Sequence, residues 1–227
     1  MSYTLMPVAV HCDADRLQRA FERAEERVER QEVVPAVLAV ANSQGLIRCQ
    51  AFSRPGGDAV ATDSIFLLAS ITTPILATAV MQLVAEGRLV LSEPVARYIP
   101  EFAQPGKLPV TAWHLLTHTS GMEEMAWWEA LGHARAPVEA YTQAALRSVL
   151  RFVPGTRYEY CTLSFYVLAE LITRLSGLPY PEYLRQRIFA PLGMLDTSFD
   201  PGLDSPRVAR VHSFGLHGGP SEIALRY

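Results

Sequence analysis

Between Val33 and Phe52 the sequence carries one clear β-hairpin, and nearly everything around it reads as helix. Val33–Ala41 is an apolar, partly β-branched run, Ser43-Gln44-Gly45 supplies a turn, and Leu46–Phe52 returns as a second strand. Ahead of it, Leu17, Phe21, Ala24 and Val28 recur at three- and four-residue steps within Asp13–Arg30, the pattern of an amphipathic helix. A two-stranded hairpin is marginal alone and wants more strands or helix cover. Either it lies between helices, or strands are missing from the C-terminal end. Both alternatives make the chain a mixed α/β (α+β) protein.

The remaining signals are helical. Pro74 suits a first helical turn, and Ile75–Glu86 follows as an apolar helix stopped by Gly87, with so little polar face that burial on most sides is expected. Thr111 caps a short helix reaching Thr117. Pro137–Phe152, Thr162–Leu175 and Pro181–Phe189 are further helices, whereas Leu89–Pro109 is irregular and proline-punctuated. After Asp196 the chain turns polar and glycine-rich, with no strong period.

Composition bounds the partners. The chain has 227 residues, 49% hydrophobic and 19% charged, with a net charge of −3, so it lacks the basic surplus of a nucleic-acid binder. No stretch approaches the roughly 18 apolar residues of a membrane span. Met1–Cys12 has no basic n-region and its apolar run, Leu5–Val10, is too short for a signal sequence, so the chain as written is expected in the cytoplasm. An upstream leader would instead place it in the periplasm or outside the cell. Cys12, Cys49 and Cys161 are odd in number and widely spaced, giving no zinc, redox or disulfide pattern. Lys107 is the single lysine.

Ser70 opens the apolar helix as Ser70-Ile71-Thr72-Thr73. A serine before a helix is ordinarily an N-cap. There its hydroxyl also lies near unpaired N–H groups and the positive end of the helix dipole, which suits a developing oxyanion. His114 and His118 stand four apart, a spacing that can serve zinc, but no third ligand is apparent and local hydrogen bonds are the simpler use. Trp113, Trp127 and Trp128 could line a cleft, though tryptophans are more often core. Glu123 and Glu124 read as solvated. Arg157 could bring positive charge near Tyr160.

The stretch Phe66-Leu67-Leu68-Ala69-Ser70-Ile71-Thr72-Thr73-Pro74, with Gln82-Leu83-Val84-Ala85-Glu86-Gly87-Arg88-Leu89, resembles the segment around the nucleophile in class C β-lactamases, related penicillin-binding proteins and family VIII carboxylesterases. Pro94–Pro100 resembles the same proteins. So do His114-Leu115-Leu116-Thr117-His118-Thr119-Ser120-Gly121-Met122, Pro154-Gly155 leading to Tyr160, and Pro191-Leu192-Gly193-Met194 with Asp196-Thr197-Ser198-Phe199. The likeness covers roughly residues 15–200 and implies a β-lactamase/transpeptidase-like fold, a helical subdomain beside an antiparallel sheet flanked by helices. It implies a β-lactamase-related domain over 1–200, the N-terminal part of the family domain, a polar tail over 201–227 that ends a shortened domain, and an incomplete sheet whose free edge invites self-association.

The resemblance also implies three catalytic motifs, and the chain departs from each. In Ser-x-x-Lys, Ser70 is kept and Thr73 holds the lysine position; in Tyr-x-Asn, Tyr160 is kept and Thr162 holds the asparagine position. The third, a basic or histidine triad ending in glycine, has only the displaced His217-Gly218-Gly219 to offer, in the coil-like tail. A serine hydroxyl is a poor nucleophile until a base takes its proton, and losing a general base typically costs about 10²–10⁴-fold. The implied activity is acyl transfer from a small ester or amide to Ser70, without cofactor or metal, weakened or abolished by Thr73. The alternatives are a non-catalytic binding module and a shortened fragment without independent function. If the resemblance holds, Ser70, Thr73 and Tyr160 converge in one cleft, and a separation of more than about 6 Å between the side-chain oxygens of Ser70 and Tyr160, well beyond hydrogen-bond reach, would count against it.

Overall fold

The computed structural model describes residues 12–123, 131, 136–202, 205–210, 212–214 and 220–222. The described residues form two compact units, one built from residues 12–67 together with those between 201 and 222, the other from those between 68 and 200.

In the first unit, helix α1 (Ala14–Glu29) starts where the Asp13 carboxylate accepts the Arg16 N–H at 2.9 Å. Its apolar stripe is the one the spacing predicts. Phe21 and Val28 are buried with Phe52, and Leu17, Ala24, Val33, Leu38 and Val40 pack around them. Strands β1 (Ala36–Asn42) and β2 (Gly45–Phe52) pair antiparallel from Ala36↔Phe52 to Asn42↔Gly45, with a bulge between Val40 and Ala41. The Arg48 guanidinium lies 4.0 Å over the Phe21 ring, so a strand cation covers the helix aromatic. The region after Asp196 holds more order than its composition suggests. Ile65 donates its N–H to Arg207 O at 2.7 Å and accepts from Ala209 N at 2.9 Å, and β3 (His212–Phe214) pairs with β4 (Pro220–Glu222).

In the second unit the central element is α5 (Leu163–Ser176), with Leu163, Ser164, Phe165, Val167, Leu168, Ala169, Leu171 and Ile172 all buried. Tyr166, Glu170, Thr173 and Arg174 form its one partly exposed face, so the helix is buried on most sides, as a mostly apolar helix requires. Around it pack α2 (Thr72–Ala85), α3 (Ala112–Leu116), α4 (Val138–Arg147) and α6 (Tyr180–Leu184), the last continued by a π-turn over Arg185–Phe189. Gly177, at φ +78°, ends α5 in a left-handed turn and donates to Thr173 O.

Two helix predictions need correction. The apolar composition of α2 predicts burial on most sides; Leu76, Ala79, Val80 and Leu83 are buried, but Pro74, Thr78, Met81 and Ala85 form an exposed stripe. The helix predicted over Pro137–Phe152 ends at Arg147. Ser148 Oγ donates to Ala145 O at 3.0 Å, and the chain beyond is drawn into backbone pairing with Gly121–Glu123. Lys107 reinforces that helix end. It is fully buried, donates to Leu146 O at 2.6 Å and Ala145 O at 3.3 Å, and lies 4.2 Å over the Phe102 ring. A cation suits the carbonyl end of a helix.

The stretch read as irregular, Leu89–Pro109, is anchored by side chains: Val95, Ile99 and Phe102 are fully buried, in two 3₁₀ turns and their link. No helix among the described residues is long and apolar enough to cross a membrane.

Candidate active site

Ser70 sits in the middle of a 3₁₀ turn, Ala69–Ile71, that leads into α2. It is not the side-chain cap of that helix. Its Oγ faces Tyr160 instead, whose hydroxyl donates to it at 3.1 Å across 90 positions of sequence. Ala69, immediately before it, has φ +45°. A left-handed alanine costs roughly 1–2 kcal/mol, so the surrounding packing must hold it. Alanine carries no sequence signal for a left-handed backbone, so this feature is not legible in the sequence.

Thr73 is half-buried and turns its hydroxyl back along the helix, donating to Ser70 O at 2.8 Å. A threonine at this position therefore adds a hydrogen bond but no base and no charge. Thr162 takes the N-cap position of α5 without a capping hydrogen bond from its side chain. Ser70, Thr73 and Tyr160 thus meet at one place, and Thr162 lies two residues past the tyrosine.

Tyr160 is carried by a loop that the His114–Met122 block fastens. Backbone bonds run from Glu159 N to His118 O (2.9 Å), Gly155 N to Thr119 O (2.8 Å), Arg151 N to Gly121 O (2.8 Å) and Glu123 N to Val149 O (3.0 Å). The two segments form an irregular ladder that ends at the tyrosine. Buried Ser120 meets Ser164 of α5 at 3.2 Å, tying the ladder to the central helix.

The two histidines serve this framework. His114 Nδ1 accepts Thr111 N–H at 3.1 Å and completes the capping box of α3; burial holds its pKa below the ordinary histidine value. His118 Nδ1 accepts Cys161 N–H at 3.1 Å, and its ring stacks on that of Tyr160, 4.4 Å between centroids. The spacing of four suggested a shared helix face, but His118 lies beyond α3 at φ +54°.

Arg157 is drawn away from a free role. It donates to Glu159 at 3.0 Å, Arg151 holds the other carboxylate oxygen at 2.9 Å, and its guanidinium lies over Phe152. Trp113 is exposed and Glu123 half-buried. Glu124, Trp127, Trp128 and His217-Gly218-Gly219 lie outside the described residues.

The chain as a whole is similar to known proteins. A family model described as Beta-lactamase matches residues 21–223. Esterase EstB of Burkholderia gladioli is 32% identical over 219 residues, covering 86% of this chain and 55% of that protein. The D-alanyl-D-alanine-carboxypeptidase/endopeptidase AmpH of Escherichia coli K12 is 29% identical over 190 residues, 79% of this chain and 49% of its own. The chain therefore spans about half the length of these relatives. Among solved structures, the octameric penicillin-binding protein homologue of Pyrococcus abyssi superimposes with a TM-score of 0.79 at 24% identity, over 95% of this chain and 51% of that one. A class C beta-lactamase of Rhodobacter sphaeroides gives 0.70 at 24% identity, over 93% and 58%. The likeness fixes the fold as that of β-lactamases and transpeptidases, with a sheet that is not closed among the described residues.

Proposed function

Because this chain belongs to the β-lactamase family, we propose that it is a serine hydrolase-type protein whose Ser70 accepts the acyl group of a small ester or amide, with turnover held low by Thr73. The observation that carries the reading is the 3.1 Å contact between Ser70 Oγ and Tyr160 OH beside a threonine that supplies no charge. An esterase and a carboxypeptidase among the relatives support the substrate class.

In the forward step Ser70 Oγ bonds to the acyl carbon and gives up its proton. The bond from the acyl carbon to the leaving oxygen or nitrogen breaks as that atom gains a proton, and water then cleaves the Ser70 ester. Tyr160 donates to Ser70, whereas the step needs an oxygen that accepts. A cation at position 73 would favour the phenolate and reverse that polarity. Without it, attack is slow.

Thr73 spending its proton on Ser70 O favours a second reading, a cleft that binds without turning over. One experiment separates them. Ser70 acylation by a nitrophenyl ester is measured for the parent, Thr73→Lys and Ser70→Ala. Slow Ser70-dependent acylation, raised on the order of 10²-fold by Thr73→Lys, is expected for the impaired hydrolase. No acylation in either protein with Ser70 present favours the binding module. Turnover that survives Ser70→Ala removes Ser70 from the mechanism.

Self-association forms part of the proposal. The Pyrococcus abyssi neighbour is octameric, and β1 and β2 have no other strand partner among the described residues. Open strand edges template pairing between chains. Sedimentation that returns only monomer across a wide concentration range would refute it.

A further inference from the structure

We infer that His118 is a positioning residue that clamps Tyr160 from both sides in sequence and from one face in space. Its carbonyl accepts the N–H of Glu159 at 2.9 Å and its Nδ1 accepts the N–H of Cys161 at 3.1 Å, so the residues before and after the tyrosine are both bonded to it. Its ring lies on the phenol at 4.4 Å and 29°. Phe165 of α5 packs against the imidazole at 5.3 Å, and Tyr158 meets it edge-on at 5.9 Å. These contacts steady the ring that steadies Tyr160.

Two features argue that this is a built arrangement. His118 holds φ +54°, a conformation few residues with a side chain adopt and one that histidine tolerates better than most. That turn brings carbonyl and imidazole to bear on the same short segment. Accepting at Nδ1 also fixes the neutral ring as the Nε2–H tautomer. Tyr160 itself is 46% exposed, so its own burial does not set its orientation. The clamp supplies what burial leaves undone.

The consequence for acylation rests on the acyl-transfer reading, but the positioning does not, and the test keeps them apart. The chain is prepared with 3-fluorotyrosine, and the Tyr160 fluorine resonance is assigned by its loss in Tyr160→Phe. His118→Ala removes ring and acceptor, His118→Phe keeps a ring without the acceptor, and His118→Asn keeps an acceptor and tolerates the left-handed backbone. In His118→Ala the resonance moves towards that of free fluorotyrosine. Labelling of Ser70 by a fluorophosphonate falls about tenfold in His118→Ala and His118→Phe, the worth of one lost hydrogen bond, and is largely restored in His118→Asn. A merely structural role would lower stability in all three without that rank order. If the parent is not labelled at all, the acyl-transfer reading fails and the resonance alone decides the clamp. An unmoved Tyr160 resonance in His118→Ala overturns it; if that variant does not fold, identical resonances in His118→Phe, His118→Asn and the parent overturn it.

Discussion

At the scale of single residues, the chain's one lysine carries a measurable signature. Lys107 is the only lysine in the chain, and its Nζ is committed to the carbonyls that end α4. Burial outweighs the favourable placement of the cation at that helix end and pushes its pKa down from 10.5 to about 8. Between those values the unfolded chain keeps a proton that the folded chain has released, so this residue makes stability rise with pH through that window. Below about pH 8 both states are protonated and the native state carries the whole cost of a buried charge, roughly 3 kcal/mol. Urea unfolding of the parent and of Lys107→Met from pH 7 to 10 should therefore give curves that are parallel below about pH 8. Above it the parent gains on the variant by on the order of 2 kcal/mol. Curves parallel throughout would mean that the amine does not pay for its burial. The sequence made the absence of Thr73's lysine plain, because a motif position is local. It could not announce where Lys107 goes, because that depends on where α4 stops.

At the scale of elements, what was legible followed one rule: periodic patterns were read, and pairings between distant loops were not. The stripe of Leu17, Phe21, Ala24 and Val28, the β1–β2 hairpin and the Thr111 cap all lie within a few residues of their own causes. The early end of α4 does not. Arg147 is the last helical residue because Val149 and Arg151 pair with Glu123 and Gly121, some 30 positions earlier, and helix propensity yields to that ladder. Gly121 is its tightest point. At φ +78° a Cβ there would meet Phe152 O at 2.4 Å, against backbone that has no side-chain freedom to yield. Gly121→Ala should cost at least roughly 2–4 kcal/mol and detach the loop that presents Tyr160. Gly177 is the control. Its φ is the same, +78°, but nothing lies within 4 Å of the added atom, so Gly177→Ala should cost only about 1 kcal/mol. Thermal melts of the two variants check the ranking, and equal losses would show that conformation alone, not the close approach to Phe152, makes Gly121 necessary.

At the scale of the whole molecule, the two units differ in how much they bury. In the unit formed by Leu68–Asp200 buried side chains run through α2, α3, α4, α5 and α6 and the turns between α2 and α3. In the other unit, the cluster between α1 and the hairpin has, among the described residues, three that are buried, Phe21, Val28 and Phe52. No local pattern announced that second assembly, since it joins segments such as Asp63 and Arg207, 144 positions apart, through guanidinium bonds to Asp63 O at 2.8 and 2.9 Å. Each fully buried apolar side chain contributes about 1.5–3 kcal/mol, so so small a cluster resists opening far less than the helical core does. Local opening, not global unfolding, should then govern exchange in β1 and β2. Hydrogen–deuterium exchange under native conditions is expected to release the β1 and β2 amides at least about tenfold faster than those of α5. Phe21→Ala should widen the gap. Removing a buried phenylalanine typically costs about 3–5 kcal/mol, and here that loss falls on the smaller unit, leaving α5 exchange unchanged. If β1, β2 and α5 exchange together, and Phe21→Ala speeds all three alike, the two units open as one and the burial difference has no dynamic consequence.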